Sequence, residues 1–192
     1  MKKIAYLFIA VALLTLVGGC AAYAQQMSLG INGEIAMPLG TFKDISDMGF
    51  GGTALFGYQI DPNITLTGRA GYLSFSGKDF DLGSMKVKTS YGIIPILVGG
   101  RYYFMPDGDT RVYGAAEVGL YMLSAKATVT YLGYDVSATT SSSKFGFAPA
   151  IGAQFKVGDK MNLDAHVNYS YIAAEGDALS YIGLGVGLEF GL

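Results

Sequence analysis

The sequence predicts an all-β protein, an eight-stranded antiparallel transmembrane up-and-down β-barrel, and three observations support this fold class. The first is the closing stretch, residues 180–192, where the even positions from Leu184 are apolar and the odd positions from Gly183 are glycine or Glu189. A side-chain period of two is that of a β-strand. One apolar face for lipid and one small, polar face for a lumen are typical of a transmembrane barrel strand.

The second observation is composition, and the third is the length of the connections. Mean hydropathy is +0.37, yet the chain lacks the apolar run of about 18 residues that a spanning helix needs. Its 192 residues indicate one domain. Short connections at 61–63, 105–110 and 158–160 alternate with long ones at 39–49, 77–88, 125–144 and 173–179. Short periplasmic turns and longer external loops, with both termini in the periplasm, are expected of such barrels.

Alternation defines the strands in order as residues 28–37, 50–60, 64–75, 91–104, 111–124, 145–157, 161–172 and 180–192. Strand three is assigned from its inward Thr65, Thr67 and Arg69. The other seven have outward apolar residues, in chain order Leu29 and Ile31, Phe50 and Phe56, Ile94 and Val98, Val118 and Leu120, Phe147 and Ile151, Leu163 and Val167, and Leu184 and Val186. A soluble lipocalin-like barrel is the rival fold, but it would place these residues inside and its charges outside.

Turn and breaker residues refine this assignment. Asp61-Pro62-Asn63, Asp107-Gly108 and Gly158-Asp159-Lys160 have the composition of tight turns. Pro95 and Pro149 lie inside predicted strands and each removes a ladder donor. We therefore expect a bulge or a locally broken ladder at each proline.

The N-terminus predicts export. Residues 1–24 contain Lys2 and Lys3, an apolar run and Ala22-Tyr23-Ala24, which together form a secretory signal peptide. Cleavage after Ala24 leaves residues 25–192 as the barrel domain; cleavage before Cys20, as in a lipoprotein, is the alternative. With the first cut, 11 basic residues oppose 15 acidic ones, so the mature charge is −4 and nothing indicates nucleic-acid binding.

Residues 94–104, residues 114–119 and the closing strand resemble the small eight-stranded outer-membrane barrels of the OmpX/OmpA type and the generic outer-membrane β-barrel domain. The resemblance implies an outer-membrane address in a Gram-negative envelope. It implies contact with outer-membrane lipid, and recognition of the C-terminal strand by the barrel-assembly machinery. Family members typically end on an aromatic residue, whereas this chain ends Phe190-Gly191-Leu192.

Charged residues and one histidine share the face opposite the lipid face, and they predict a lumen network of Glu34, Arg69, Arg101, Glu117, Lys156, Asp164, His166 and Glu189. We expect Arg101 to lie one diagonal step from Glu117. We also expect Glu34, Leu55 and Arg69 to align, and Lys156, Asp164 and Glu189 to meet near the periplasmic end. The interior of an eight-stranded barrel is only wide enough for side chains. A paired polar core is the main interpretation, and a narrow porin-like path for ions or solutes is the alternative.

No catalytic group, cofactor or metal is expected. His166 is the only histidine, and Asp164, His166 and Ser170 share the inward face of strand seven. Positions two and four apart on one strand are displaced by about 7 and 13 Å. Direct hydrogen bonds along that line are therefore not expected without help from another strand. His166 is interpreted as a hydrogen-bonded lumen residue, and an outer-membrane lipid-modifying hydrolase is a weaker alternative. Gly183, Gly185 and Gly187 are interpreted as small residues that make room for Arg and Tyr side chains.

The two longest external connections are predicted to be protruding β-ribbons. In the first, Asp81 faces Lys86, Phe80 faces Val87 and Asp79 faces Lys88, with a bulge near Gly77 where the register shifts by one. In the second, residues 128–131 pair with residues 134–137, so that Tyr131 faces Tyr134. Their exposed edges and the Ser/Thr run at 138–143 suggest adhesion, with an extracellular protein or surface as partner.

Aromatic residues are expected to mark both membrane interfaces. The periplasmic girdle is Tyr58, Tyr102, Phe104, Phe155 and Phe190, and the outer girdle is Phe50, Phe147, Tyr169 and Tyr181.

Overall fold

The computed structural model describes residues 27–78, 80–81, 85–131, 134–174 and 178–192. Nine strands and one short helix are present in these residues. They are β1 (Met27–Leu39), α1 (Thr41–Ile45), β2 (Ser46–Asp61), β3 (Ile64–Gly77), β4 (Phe80–Asp81), β5 (Met85–Tyr103), β6 (Thr110–Tyr131), β7 (Tyr134–Gly158), β8 (Met161–Ile172) and β9 (Leu179–Gly191). The predicted signal peptide lies outside the described residues.

Eight of these strands form a closed antiparallel ring. The order is β3-β2-β1-β9-β8-β7-β6-β5, and pairing of β3 with β5 closes it. The ninth strand, β4, has two residues and pairs only with β5. The predicted fold class is therefore confirmed, with one short strand added beyond the ring. Below, the turn end is the end with residues 62–63, 104–109 and 159–160, and the ribbon end is the opposite one.

The outer surface of the ring is apolar, as a lipid-facing surface must be. Each ring strand has large exposed apolar side chains, among them Ile31, Phe50, Leu66, Val98, Leu120, Ile151, Val167 and Val186. Alternate positions point inward, so that Arg69, Asp164 and Glu189 are almost fully buried. Within the described residues, no helix has the length and apolar character needed to cross a membrane.

The two turns with the clearest sequence signals are formed as predicted. The Asp61 carboxylate accepts hydrogen bonds from the backbone N–H groups of Asn63 (2.7 Å) and Ile64 (2.9 Å). Gly108 has φ +114°, a conformation that suits glycine. These contacts fix the register of the hairpins at the turn end.

Pro95 and Pro149, the two prolines expected to disturb a strand, each interrupt one ladder without shifting its register. Pro95 pairs with Tyr121 of β6, but the β3–β5 pairing stops at Ala70–Ile96 and resumes at Leu73–Ile93. The β7–β8 pairing is interrupted in the same way beside Pro149. Of the two expected outcomes, the broken ladder is the one found, because the missing N–H removes a bond while the chain stays extended.

The strands at the ribbon end extend well past the ring. The β6–β7 pairing runs in one register from Thr110–Phe155 to Tyr131–Tyr134, as predicted, and β5 pairs with β6 out to Met85–Tyr131. We call β4 and the outer parts of β5, β6 and β7 (residues 85–89, 123–131 and 134–143) the extension. The two predicted ribbons are therefore one continuous sheet, because β5 pairs with both β4 and β6.

The predicted register shift in the first ribbon is present. Ser76 pairs with Ser90 on β3 and β5, whereas Phe80 pairs with Val87 on β4 and β5. One more residue therefore separates the two pairs on the β3 side than on the β5 side, as the expected bulge near Gly77 requires.

The lumen at the ribbon end is apolar, contrary to the expectation of a polar interior throughout. A cluster of buried residues fills it, which we call the apolar cluster: Ala36, Phe42, Leu73, Phe75, Ile93, Leu97, Tyr121, Ala148, Ile172 and Tyr181. Phe42 reaches it from α1, in a stretch interpreted as a long loop. Tyr181 was expected in the outer girdle, but odd positions of β9 face inward, and its ring contacts Phe75 (centroids 5.8 Å apart).

Candidate functional site

Arg69 is the centre of the first of two ion clusters in the lumen. Its Nε lies 2.7 Å from Glu117 Oε2, and its Nη1 lies 3.8 Å from Glu34 Oε2. Thr67 Oγ1 donates to the other oxygen of Glu117 at 3.1 Å. The expected meeting of Glu34 with Arg69 is present, and Leu55 lies opposite Arg69 as expected, but the expected alignment of Leu55 with Glu34 is wrong. Leu55 lies opposite Gly30, four residues before Glu34, so the ion pair depends on the reach of the Arg69 side chain.

Arg101 is the centre of the second cluster, nearer the turn end. Its Nη1 lies 2.8 Å from Glu189 Oε2 and 3.6 Å from Asp164 Oδ2. Its guanidinium also stacks on the Tyr113 ring, 4.5 Å from the centroid. Glu117 lies one diagonal step from Arg101, as expected, because Gly99 is its cross-strand partner. Glu117 nevertheless pairs with Arg69, since Glu189 and Asp164 already bind Arg101.

His166 belongs to the second cluster through Asp164. Its Nδ1 lies 2.7 Å from Asp164 Oδ1, so His166 is a hydrogen-bonded lumen residue as expected. The direct bond along the strand was expected only with help from another strand. Side chains two apart on a strand can lean along it toward each other, and this closes the backbone spacing. Tyr113 Oη donates to Asp164 Oδ2 at 2.8 Å, which holds the carboxylate from the other side.

Lys156 is not part of either cluster. It is exposed at the turn end, and no ion pair joins it to another described residue. Gln154, one inward position deeper on β7, takes the place beside Glu189 that was expected for Lys156. The Nε2 of Gln154 donates to Glu189 Oε2 at 2.7 Å. Gln154 also accepts hydrogen bonds from Arg111 Nη2 (2.7 Å) and Tyr103 Oη (3.1 Å). The inward parity of Gln154 was the signal that could have identified it.

The glycines of β9 make room for inward side chains, although not for the types expected. A β-carbon on Gly185 would collide with the imidazole of His166. A β-carbon on Gly183 would collide with the Glu34 carboxylate and the Asn168 amide. The neighbours are therefore histidine, glutamate and asparagine rather than Arg and Tyr.

A small cavity of about 20 Å³ lies where the two clusters meet. Arg69 and Glu117 line it from the first cluster, and Arg101 and His166 from the second. Its volume is about that of one water molecule. The Asn32 side chain also lines the cavity, and its buried Oδ1 has no hydrogen-bond partner among the described residues.

The extension brings the predicted ribbon residues together only in part. Asp81 lies opposite Lys86, and Tyr131 lies opposite Tyr134. Lys88 is exposed and lies opposite Thr128, whereas Asp79 lies outside the described residues. Ser137 lies opposite Thr128 on the other side, and the hydroxyls of Thr128 and Ser137 are 3.0 Å apart.

One side of β7 is without a partner strand in the extension. Pairing with β8 begins at Gly146, and the carbonyl of Phe145 accepts one further bond from Ala173 N–H (2.9 Å). We call residues 134–143 of β7 the open edge. These residues pair with β6 on one side and with no described strand on the other.

The aromatic residues predicted for the turn-end girdle face outward. Tyr102, Phe104, Phe155 and Phe190 are exposed and Tyr58 is half-buried. The rings of Tyr102 and Phe104 also pack edge to face with centroids 5.5 Å apart.

A protein-family model described as the outer membrane protein beta-barrel domain matches residues 10–190. The chain belongs to this family. As an outer membrane β-barrel protein it is located in the outer membrane. No curated protein matches it significantly.

Solved structures of other outer membrane proteins have the same fold. Neisserial surface protein A covers 86% of this chain and 97% of its own, with 18% identity and a TM-score of 0.56. A major outer membrane protein from Thermus thermophilus covers 85% of this chain and 98% of its own, with 11% identity and a TM-score of 0.55. A third structure is that of Ail, the attachment invasion locus protein of Yersinia pestis, in complex with the heparin analogue sucrose octasulfate. It covers 86% of this chain and 97% of its own, with 18% identity and a TM-score of 0.50. At these identities the likeness shows the fold alone.

Proposed function

We propose that this outer membrane β-barrel protein is a non-enzymatic structural protein that presents its extension outside the cell and binds an extracellular protein or surface by strand addition. The observation that carries the proposal is the open edge. Unpaired N–H and C=O groups along a strand are a template for another strand. Here the template is long, polar and raised above the ring.

The orientation follows from the rule for such barrels, in which short turns and both termini face the periplasm. The signal-peptide pattern predicted at residues 1–24 supports export. The ribbon end then points away from the cell. The exposed side chains of the open edge from Ser137 to Ser143 are Ser, Thr and Ala, a composition that suits contact with water and avoids charge repulsion with a partner.

The lumen supports a structural interior rather than a narrow channel. The two ion clusters and the apolar cluster lie one after another along the lumen, and the cavity between the ion clusters has room for about one water molecule. Three of the four carboxylates paired with arginine also accept hydrogen bonds, Glu117 from Thr67, Asp164 from Tyr113 and Glu189 from Gln154. This is the arrangement of a polar core.

The His166 environment supports a non-enzymatic interior rather than a hydrolase. Asp164, its partner, is already bound by Tyr113 and Arg101. Ser170 is fully buried and hydrogen-bonded to Asn168, not to His166, among the described contacts. A nucleophile within hydrogen-bond reach of the base is what hydrolytic chemistry of this kind requires.

Deleting residues 129–141 tests the proposal. The remaining hairpin can close at the pair Leu123–Ser142 with a short loop, so the ring should fold unchanged. Cells that display the deletion variant should lose adhesion to immobilised matrix glycoproteins, while the detergent-refolded protein keeps its heat-modifiable migration. Unchanged adhesion, or a ring that no longer folds, would contradict the proposal.

A matched pair of charge variants separates the edge from the rest of the extension. Ser141→Lys places a charge on the open edge, whereas Thr128→Lys places the same charge on β6, the strand behind the edge. Lysine on an edge strand opposes strand addition. Adhesion should fall for Ser141→Lys and remain for Thr128→Lys, and equal effects of the two would argue against the edge.

A further inference from the structure

A second cavity, of about 190 Å³, lies at the ribbon end against the inner side of the extension. We call it the mouth cavity. Phe42 of α1 closes it toward the lumen, and Tyr91, Leu123 and Leu179 form its walls. It is also lined by Gly92, Ile93, Ser124 and Ala125. On the side of β7 it is lined by Thr140 and Ser142, which are exposed and belong to the open edge. The cavity is therefore bounded by Phe42 on the side of the lumen, and on another side it reaches the open edge.

The lining of the mouth cavity defines what can occupy it. Its described lining residues are apolar, aromatic, small or hydroxyl-bearing, and none of them is an acid, a lysine, an arginine or a histidine. The inserted part of a ligand must then be uncharged, because an ion would lose its hydration without gaining a partner. Dry cavities of about 150 Å³ lined by Leu, Ile and Phe accept benzene. The size and the lining both suit one aromatic ring.

The position of the cavity connects that ring to strand addition. Side chains along a strand project alternately to the two faces of the sheet. A side chain lies on the same face as the residue directly opposite it on the neighbouring strand. A strand added beside β7 would place some side chains next to Thr140 and Ser142, on the inner face where the cavity lies. In strand addition, main-chain bonds supply affinity, and pockets for alternate side chains supply specificity.

We infer that the mouth cavity is the specificity pocket of the open edge, and that it takes an aromatic side chain from an extended peptide segment of the partner. This inference rests on the proposed function, because it requires the partner to add as a strand. It assigns a partner chemistry to that edge: an extended, uncharged segment with an aromatic residue at an inward-facing position.

The test uses the full barrel domain in lipid nanodiscs and two short synthetic peptides. One is a Thr/Val strand-forming peptide with a central 4-fluorophenylalanine, and the other has alanine at that position. Affinity is measured by calorimetry for both peptides, and fluorine NMR reports the environment of the ring. The aromatic peptide should bind about tenfold to a hundredfold more tightly, the range expected for burying one aromatic side chain.

Two variants locate the ring. Ala125→Leu fills the cavity and should reduce binding of the aromatic peptide to the level of the alanine peptide. Ala127→Leu, the next inward position on β6 and outside the cavity lining, should leave binding unchanged. The comparison of the two peptides on the unaltered protein needs no variant, so a folding defect in Ala125→Leu leaves the test intact.

The outcomes separate the two proposals. Equal binding of both peptides would overturn the aromatic pocket and support strand addition. Failure of both peptides to bind would count against strand addition itself. Tight binding of free 4-fluorotoluene that Ser141→Lys does not weaken would overturn the peptide partner, since it would indicate a small-molecule site independent of the edge.

Discussion

Two arginines organise the lumen at the scale of single residues. Arg69 and Arg101 each lie between two carboxylates, and all of these side chains are almost completely removed from solvent. Burying an ion is costly unless a partner compensates it. The main contribution of each guanidinium to stability is therefore that it gives the two buried carboxylates beside it a partner.

Replacing Arg101 with leucine should strongly destabilise the barrel. The change leaves Glu189 and Asp164 without their cation, so we expect a loss of about 3–5 kcal/mol in the free energy of unfolding. Urea unfolding in detergent, followed by heat-modifiable migration, measures it. Lys156→Leu is the control, because an exposed residue outside the clusters should change stability by less than about 0.5 kcal/mol. Similar stability for both variants would show that the cluster does not hold the barrel together.

The alternation of side chains along each strand predicted which residues face inward better than it predicted their partners. Glu34, Arg69, Arg101, Glu117, Asp164 and Glu189 are all buried in the lumen, because a period of two decides which face a side chain takes. Partners depend on the shear of the ring, which sets strands at different heights and is absent from any local pattern. Arg101 pairs with Glu189, 88 positions later in the chain. That pair could not be found from neighbouring strands alone.

At the scale of elements, α1 is the part that departs most from a simple barrel. This short helix turns inward at the ribbon end and places Phe42 against Phe75 (centroids 5.1 Å apart) and Tyr91 (6.1 Å). A helix this short has no amphipathic period to reveal it in the sequence. The available signal was one large apolar residue in a stretch otherwise interpreted as an exposed loop.

Phe42→Ala should destabilise the ribbon end of the ring. Removing a buried ring from the apolar cluster leaves a cavity, with an expected loss of about 3 kcal/mol in the free energy of unfolding. Urea unfolding in detergent provides the measurement, and Lys43→Ala, an exposed change on the same helix, is the control. Equal stability of the two variants would mean that α1 lies on the barrel without supporting it.

At the scale of the whole molecule, ring closure and a filled interior act together. Closure leaves the ring without an edge in the membrane, where unpaired backbone groups would be most costly. The part of β7 that pairs with no described strand on one side lies instead in the extension. A barrel of eight strands has little room for a path once its inward side chains are in place.

Planar-bilayer recording of the unaltered protein should therefore show little or no stable conductance. A general porin reconstituted in the same way serves as the positive control, and heat-modifiable migration shows that the inserted protein is folded. The physical reason is the interior volume, since the cavity between the ion clusters is about 20 Å³. A large, reproducible open channel would favour the porin-like alternative instead.

The unbroken register of β6 and β7 has a mechanical consequence. The same two strands contribute to the extension at one end and to the membrane ring at the other, with no change of register within the described pairs. Hydrogen bonds between antiparallel strands run perpendicular to the strands. On the proposed function, a force that pulls a bound surface away from the cell would act along the strands and load many of these bonds in shear at once. We therefore expect the β6–β7 pairing to resist tension along the strands.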